Sequence, residues 1–386
     1  SIVRMSTQGR LGTKEAAAQY FLDTDGNPWP VGHVLANPDY ATTLEYLVDQ
    51  GPATFYAGPV AEEIALAVNA EAGPGTMTID DFLAYRPVER APVCAPYRDK
   101  KICSMAPPSS GGITVLQILM LLAETDFADK PAASPVAWHL LLEASRLAYA
   151  DRNVFIGDPV AIEGASYSAG DLLDALLLPA YIEDRAKLIS EDRSSIEVSA
   201  GDPLAYIGAT APVPGQDASP EPPSTSHFSI MDADGRVVSM TTSVEFPFGS
   251  HLMAGGMILN NQLTDFSFLP ERDGVPVANA VAPGKRPRSS MSPVIVFDDE
   301  GRVWAALGSP GGPAIIGYVV KTLIALIDWR MPLQAAIDLP NAVYPRGEPL
   351  FEEGGYDPQI LEGLRARGHA VRERALNSGL HGFRRN

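Results

Sequence analysis

The chain has 386 residues, 46% of them hydrophobic, and a mean hydropathy of zero. This composition predicts a soluble protein with a substantial core, folded as one large or two ordinary domains. The net charge of −18 and the pI near 4.7 argue against nucleic acid or an anionic membrane as a partner, which leaves a small ligand as the better expectation. No apolar run approaches membrane-spanning length.

The first part of the chain is predicted to be mostly helical. Apolar spacing and start signals predict helices at residues 36–49, 58–68, 78–85, 113–123, 135–152 and 170–188. Residues 88–106 are predicted to form a β-hairpin. Cys94 and Cys103 flank its turn without metal-ligand spacing, so free buried thiols are expected, with a hairpin disulfide as the alternative if the protein is exported. Residues 198–224 are rich in proline and are predicted to be a linker that forms no packed element.

The character changes to strands at Thr225. Alternating and β-branched runs predict strands at residues 225–232, 236–243, 257–260, 293–298 and 303–307. A long apolar helix at 314–329, a helix from residue 357 and a strand near residue 371 follow. The sequence therefore predicts a mixed α+β chain with its strands concentrated in the second half.

The first two of these strands are joined by a turn that sets their register. If the loop has three residues with Gly235 in the left-handed conformation, Asp232 pairs with Arg236. His227 then faces Thr241, and Thr225 faces Ser243. A two-residue turn would instead pair Thr225 with Val244, so the register is an expectation that depends on the loop.

Thr225 is a candidate nucleophile because it begins a strand after a cleavable loop. An N-terminal residue carries its own base, since an α-amine with a pKa of about 8 can take the hydroxyl proton. Before cleavage, the same hydroxyl could attack the carbonyl of Ser224 and release the nucleophile. The spacing alone equally fits an ordinary strand with surface hydroxyls.

Further polar groups follow in the second half. Glu245, Gln262 and Asp265 could bind a cationic amine, and Ser289 and Ser290 could bind a carboxylate. Gly311 and Gly312 could present backbone N–H groups to an oxyanion. Taken singly, each of these fits a turn or surface role as well.

Two other patterns are set aside. Asp23 to Asn27 resembles the start of a calcium loop but lacks the later ligands, so a plain turn is expected. The six histidines form no metal pattern, and His227 is interpreted as a strand residue packed near the site. No cofactor or metal is expected.

Several motifs then match a known family in its order. The match runs from about residue 30 to residue 380 and closely resembles the γ-glutamyltranspeptidases. Its motifs lie at residues 225–229, 259–267, 283–293 and 308–312, with large-subunit signatures at 107–112, 149–152 and 157–159.

The resemblance implies an N-terminal-nucleophile hydrolase with a four-layer αββα sandwich, made as a precursor that cleaves itself between Ser224 and Thr225. Residues 1–224, with the linker 198–224, would be the end of a large subunit, and residues 225–386 a small subunit, the two forming one structural domain. Thr225 would attack a γ-glutamyl carbonyl, with water or an amine as acceptor. Glutathione and related compounds are the implied donors.

The remaining roles come from the same resemblance. Ser243 would orient the nucleophile, Thr241 would assist processing, and the amides of Gly311 and Gly312 would hold the oxyanion. The substrate α-amine would be bound by Glu245, Gln262 and Asp265, and its α-carboxylate by Ser289 and Ser290. A periplasmic or extracellular location is also implied.

The chain departs from the family at both ends, since it lacks the long N-terminal region with its carboxylate-binding arginine and the final segment. It therefore resembles a fragment, an incomplete sandwich expected to expose sheet edge and apolar surface.

Two alternatives remain open. The first is an acylase of the same fold acting on glutaryl side chains, against which Glu245 and Asp265 count because a glutaryl group has no amine to pair with them. The second is an unprocessed, inactive homologue or fragment kept as a binding protein.

Overall fold

The structure is a computed structural model that describes residues 11–70, 75–158, 168–195, 197–209, 213–219, 225–345, 347–376 and 378–385. The helices are α1 (Glu15–Phe21), α2 (Pro38–Gln50), α3 (Thr54–Ala57), α4 (Pro59–Asn69), α5 (Ile79–Ala84), α6 (Gly111–Ala123), α7 (Pro135–Phe155), α8 (Ala169–Leu176), α9 (Pro179–Ala186), α10 (Ile315–Ile327), α11 (Leu333–Asp338) and α12 (Pro358–Ala366). The strands are β1 (Val93–Tyr97), β2 (Lys100–Ser104), β3 (Ser226–Met231), β4 (Val237–Thr242), β5 (Met253–Ala254), β6 (Met257–Ile258), β7 (Glu271–Arg272), β8 (Val275–Pro276), β9 (Val294–Phe297), β10 (Val303–Gly308), β11 (Ala342–Val343), β12 (Leu350–Glu352), β13 (Arg372–Arg374) and β14 (His381–Arg384).

Capping residues explain where the predicted helices begin. The side chain of Asn37 accepts a hydrogen bond from the backbone N–H of Tyr40 at 2.9 Å, and Pro38 occupies the first turn of α2. At α5, Thr78 and Asp81 form the predicted capping box. These local signals place the helix starts within a few residues of the prediction.

The single helix predicted over residues 170–188 is wrong, because the structure has α8 and α9 in its place. Pro179 begins α9, and Leu178 before it is extended, with φ −64° and ψ 127°. A residue that precedes proline avoids the helical region because of a clash with the proline ring. The break therefore falls where the proline requires it.

The main sheet has five strands in the order β1-β2-β9-β10-β14, all antiparallel to their neighbours. Helix α6 packs against β1, β2, α7 and α10, and α10 also packs against β10. This central position explains why α6 is apolar on nearly every face and buried along most of its length. The main hydrophobic core lies between these helices and the sheet.

The β3–β4 hairpin forms a separate two-stranded sheet that packs against β10 and β14. Its other face carries Ile230, Val238 and Met240, which are 56%, 50% and 45% exposed.

The chain divides into two compact units. One consists of Ser1–Glu89 with Ser243–Gln262, and the other of Arg90–Thr242 with Leu263–Asn386. Within the first unit, the β5–β6 hairpin is bound to helices: Thr43 Oγ1 donates to the Gly255 carbonyl at 2.9 Å, and Glu63 Oε1 accepts from the Gly255 N–H at 2.7 Å. The second unit contains the main sheet and core.

Cys94 and Cys103 form a disulfide, so the expectation of free thiols is wrong and its alternative holds. The two residues are directly opposite in the β1–β2 ladder, with Cα atoms 4.1 Å apart. Such a close antiparallel pair brings the two sulfur atoms together.

The prediction that residues 198–224 form no packed element is also wrong in part. Residues Pro203–Ile207 form a 3₁₀ turn that buries Leu204. The side chain of Asp217 is buried and pairs with Arg288 at 3.1 Å. Asp202 supplies the cap of the turn, because its carboxylate accepts from the Ala205 N–H.

Among the described helices, none has the length and apolar content needed to cross a membrane.

Candidate active site

The predicted site residues fall in both compact units. The unit with the main sheet contains Thr225, Thr241, Asp265, Ser289, Ser290, Gly311 and Gly312, and the other contains Ser243, Glu245 and Gln262. Ser224 lies outside the described residues.

The β3–β4 ladder has the register expected for a three-residue loop. Asp232 N–H donates to the Arg236 carbonyl at 3.0 Å, and Gly235 has a φ of +82°. His227 is opposite Thr241, and the ladder ends at the pair Ser226–Thr242. The predicted register of the ladder is therefore confirmed, while the contact between Thr225 and Ser243 stays a prediction.

Thr225 lies immediately before β3 and has a φ of +144°. A β-branched residue is disfavoured in this region because its side chain crowds the backbone. Such conformations cost on the order of 1–3 kcal/mol and occur mainly where the surrounding structure enforces them. The candidate nucleophile is thus a position of backbone strain.

His227 hydrogen-bonds the hydroxyl of Thr241 across the ladder, with 2.8 Å between Nδ1 and Oγ1. Its Nε2 is 3.0 Å from Ser229 Oγ. Burial, with a smaller contribution from His381, lowers the pKa of His227 to about 4. The imidazole is therefore neutral near pH 7 and holds the Thr241 hydroxyl by a hydrogen bond, not by charge.

Glycines shape the turn after β10. A Cβ at Gly308 would lie 2.4 Å from the His227 ring, so the close approach of hairpin and strand requires glycine. Gly311 and Gly312 have φ values of +138° and +56°, which L residues rarely adopt. They lead through the 3₁₀ turn Gly312–Ala314 into α10, whose N-terminal end favours negative charge.

Ser289 and Ser290 are held by the turn before α6 and by α7. Ser110 donates from both its N–H and its hydroxyl to the Ser289 carbonyl, at 2.8 and 2.7 Å. The buried Arg152 donates to Ser110 Oγ at 2.7 Å and to Ser290 Oγ at 2.6 Å. Two segments that resembled family signatures in the sequence therefore brace the two serines.

Asp265 is buried, and its backbone carbonyl accepts from Asn279 Nδ2 at 2.7 Å. Asn279 Nδ2 also donates to Asp217 at 2.9 Å, and Asp217 pairs with Arg288. This buried polar network fixes the chain on either side of Asp265.

In the other unit, Gln262 donates from Nε2 to Glu245 Oε2 at 3.1 Å. Glu245 is 6% exposed and has a φ of +74°. Ser243 Oγ accepts from the Glu245 N–H at 2.8 Å, a contact that the sequence did not indicate. The structure thus joins Ser243, Glu245 and Gln262 in one hydrogen-bonded group.

A family model described as Gamma-glutamyltranspeptidase matches residues 3–386. The chain belongs to this family.

Two relatives illustrate the range of the γ-glutamyltranspeptidase family. The chain is 36% identical over 358 residues to the "Glutathione hydrolase proenzyme" of Escherichia coli K12, covering 90% of this chain and 57% of that protein. It is 32% identical over 348 residues to the "Acylase ACY 1 proenzyme" of Pseudomonas sp. strain SE83, covering 90% of this chain and 57% of the relative. The chain therefore spans less than two thirds of the length of each.

The fold also resembles a solved cephalosporin acylase from Bacillus halodurans. That structure aligns with 96% of this chain and 66% of its own length, at a TM-score of 0.75 and 22% identity. Both are mixed helix-and-sheet proteins, and at this identity the likeness concerns the fold alone.

Arg152 was not predicted as a site residue, since its only signal was the Tyr149–Arg152 signature. The hydrogen bond between His227 and Thr241 was not predicted either. The structure also brings His139, Glu143 and His369 together in a buried cluster with ligand atoms close enough to hold a metal ion, a grouping that the histidine pattern did not predict. Spacing gave no signal, because His369 is distant in the sequence.

Side chains and backbone groups of the protein hydrogen-bond to the atoms of this cluster that could bind a metal. His139 Nδ1 is 2.6 Å from His369 Nε2, and His139 Nε2 is 2.6 Å from the Ser190 carbonyl. Glu143 accepts from Arg146, from the Ser194 hydroxyl and from the Ser195 N–H. A divalent cation would have to displace these donors beside a guanidinium, so we interpret the cluster as a structural hydrogen-bond network.

Proposed function

We propose that this chain is a γ-glutamyl hydrolase and transferase that cleaves the γ-glutamyl amide of glutathione and related compounds. The reaction proceeds through a Thr225 acyl-enzyme, after autocatalytic cleavage before Thr225. Family membership and the identity to glutathione hydrolase proenzymes support this activity. The observation that carries the assignment to Thr225 is its φ of +144° at the start of β3.

Strain at Thr225 supports self-cleavage because cutting the preceding peptide bond would release it. In this step Thr225 Oγ1 attacks the Ser224 carbonyl carbon, the C–N bond breaks, and the α-nitrogen takes up a proton. This acyl shift frees the α-amine of Thr225, and water then hydrolyses the resulting ester, which releases the Ser224 carboxylate and restores the Thr225 hydroxyl. The Thr241 hydroxyl, held by His227, is the proposed assistant of this processing.

After processing, the α-amine of Thr225 accepts the hydroxyl proton as Oγ1 attacks the γ-glutamyl carbonyl. The Gly311 and Gly312 amides stabilise the negative charge on the carbonyl oxygen, a contribution that exceeds ~2 kcal/mol for a single donor in other enzymes. The C–N bond of the amide then breaks, and the leaving amine takes the proton. Water or an acceptor amine attacks the ester and regenerates Thr225.

The substrate α-amine would be bound by Glu245, Gln262 and Asp265. Both carboxylates are buried, and a buried carboxylate gains most from a cationic partner. The α-carboxylate would be bound by the hydroxyls of Ser289 and Ser290. Their bracing by Ser110 and Arg152 supports this role, because a fixed hydroxyl loses less entropy on binding.

The proposed fold is a four-layer αββα sandwich of the N-terminal-nucleophile hydrolase type. The helices packed on the main sheet and the hairpin packed against β10 support it. After cleavage, residues 1–224 and 225–386 would be the large and small subunit parts, with Ser243 orienting the nucleophile. The Cys94–Cys103 disulfide supports a periplasmic or extracellular location, since disulfides persist in oxidising compartments.

The decisive experiment is to incubate the purified chain and to identify new N-termini by Edman sequencing or mass spectrometry. We expect a new N-terminus at Thr225 and release of p-nitroaniline from γ-glutamyl-p-nitroanilide. The Thr225→Ala variant should stay intact and inactive. An unbroken Ser224–Thr225 bond in the unsubstituted chain would refute the enzyme proposal and favour a binding homologue.

A second candidate is an acylase acting on glutaryl side chains, supported by the 32% identity to Acylase ACY 1. The buried Glu245, bonded to Gln262, favours the γ-glutamyl activity because a carboxylate suits the cationic α-amine of a γ-glutamyl group, which a glutaryl group lacks. Comparing γ-glutamyl-p-nitroanilide with glutaryl-p-nitroanilide separates the two. Faster turnover of the glutaryl compound would establish the acylase.

A further inference from the structure

A cavity of about 550 Å³ opens at one end of the main sheet. Its walls come from the β1–β2 turn, the end of α10, β10 and β14, with Arg98, Lys100, Trp304, Arg330 and Arg384 among the lining residues. Trp304 and Gly308 are four residues apart on β10, which corresponds to ~13 Å along a strand. The cavity therefore lies away from the Gly308–Gly312 turn of the candidate active site.

The cavity is positively charged on a strongly acidic chain. Two of its four cations are neutralised: Arg98 pairs with Asp328 at 2.9 Å, and Lys100 with Asp99 at 2.5 Å. Within the described parts of the chain, no carboxylate lies within ion-pair distance of Arg330 or Arg384, although Lys100 and, more weakly, the charge of Arg330 lower the pKa of Asp99. Because the net charge of the chain is −18, such an excess of cations is a local exception.

Packing fixes several of these cations in place. Asp328, whose side chain is 1% exposed, accepts from both Tyr97 Oη at 2.7 Å and Arg98 Nε at 2.9 Å. The Trp304 ring has Lys100 Nζ 5.2 Å and Arg384 Cζ 5.8 Å from its centroid. Cation–π contacts of this kind order long side chains before a ligand arrives, which lowers the entropy lost on binding.

We propose that this cavity binds a small phosphate dianion, either inorganic phosphate or the phosphate of a monoester. The lining residues include four cations and the two carboxylates Asp99 and Asp328, and the resulting net charge of +2 matches the two negative charges of the ligand. Guanidinium groups bind phosphate oxygens by paired hydrogen bonds. The volume lies within the ~300–1,000 Å³ of small-molecule sites, and the apolar wall of Leu326 and Ile327 leaves room for a carbon group on the phosphate. This site is independent of the proposed enzyme activity.

The test is calorimetric titration of the purified chain with inorganic phosphate at constant ionic strength. We expect saturable binding of one phosphate per chain, weakened at least tenfold in Arg330→Gln and in Arg384→Gln. Arg302→Gln is the matched control, because Arg302 is exposed, pairs with Asp298 and Glu300, and its loss changes the net charge equally. The phosphate affinity of the Arg302→Gln variant should equal that of the unsubstituted chain.

The same titration is repeated with phenyl phosphate, a phosphate monoester, and with succinate, a dicarboxylate. If phenyl phosphate binds as tightly as inorganic phosphate, or more tightly, the ligand is a phosphate monoester. If inorganic phosphate binds and phenyl phosphate does not, the ligand is the inorganic ion. Both results agree with the proposal. Equal binding of succinate, an equal loss in Arg302→Gln, or no saturable phosphate binding would overturn it. Near-UV circular dichroism checks that Arg384→Gln is folded, and the exposed Arg330 provides a variant that leaves the packing intact.

Discussion

His227 Nδ1 lies 2.8 Å from Thr241 Oγ1, so a neutral imidazole and a hydroxyl are joined across the β3–β4 ladder. Thr241→Val keeps the shape of the side chain but leaves the imidazole nitrogen without this partner. We expect a loss of about 1 kcal/mol in the free energy of unfolding, measured in urea. We also expect slower appearance of the Thr225 N-terminus.

Thr242→Val is the control for this experiment, because Thr242 is the next residue of β4 and is exposed. Thr242→Val should change neither the free energy of unfolding nor the rate at which the Thr225 N-terminus appears. If both variants processed at the same rate, the proposed role of Thr241 would be wrong.

Gly308→Ala tests the close packing of the hairpin on β10. The new Cβ would lie 2.4 Å from the His227 ring, so the ring or the strand must move. Overpacking of this kind costs ~1–3 kcal/mol, which a urea titration detects. Gly170→Ala in α8 is the control and should be neutral or stabilising, since its Cβ would meet only Ser168 Oγ at 3.5 Å.

Glu245→Gln tests recognition of the substrate α-amine. Removing one charge from a charge-assisted hydrogen bond costs ~1.5–3 kcal/mol, so kcat/KM for γ-glutamyl-p-nitroanilide should fall roughly 10- to 150-fold. Turnover of glutaryl-p-nitroanilide should stay the same or rise, because that compound has no amine. Equal losses for both substrates would show that Glu245 has only a structural role.

The histidine cluster predicts an acid-dependent loss of stability. Burial, followed by the charge of His139, lowers the pKa of His369 to about 4, and the pKa of His139 is also lowered, mainly by burial. In the unfolded chain both histidines take up protons near pH 6.5, whereas in the folded chain His369 does so only near pH 4 and His139 at a pH below its usual value. The free energy of unfolding should therefore fall as the pH decreases from about 6.5 to 4.

The charged groups around the pair, Glu143, Arg146 and Arg367, contribute to these pKa values in both directions. His369→Gln should make the pH dependence shallower, as measured by urea titrations at several pH values. His33→Gln removes an exposed histidine and should leave the dependence unchanged. An identical dependence in His369→Gln and the unsubstituted chain would contradict the prediction.

The Cys94–Cys103 bridge closes a short loop, and the chain-entropy argument assigns it roughly 2–3 kcal/mol. The double variant Cys94→Ser/Cys103→Ser should be less stable by about this amount and insensitive to dithiothreitol. Reduction of the unsubstituted chain should bring it to the same stability. Detection of two free thiols in the native, unreduced protein would contradict the bridge.

The sequence predicted those parts of the fold that depend on local chemistry. Gly235 determined the turn and thereby the register of His227 with Thr241, and the Thr78–Asp81 box determined a helix start. Each of these features needs only residues close together in the chain. The helical prediction failed at Pro179, where the ring's steric demand outweighed the apolar spacing.

The parts that could not be predicted depend on residues distant in the sequence. Arg152 contacts Ser290, 138 residues away, and Asp217 meets Arg288 from a segment whose prolines suggested a linker. Neither pairing leaves a periodic pattern, because it arises from the packing of α7 and the loops. The candidate site was therefore predicted by its motifs, while the contacts that brace it were visible only in the structure.

The order β1-β2-β9-β10-β14 has a consequence for a chain cut before Thr225. Strands β1 and β2 precede the proposed cut, and β9, β10 and β14 follow it, yet Lys101 to Ser104 pair with Val294 to Phe297 in one continuous ladder. The two pieces would share a single sheet and separate only when that sheet melts. Because melting of that sheet releases two separate chains, the melting temperature of the cleaved protein should rise with protein concentration, as it does for other heterodimers.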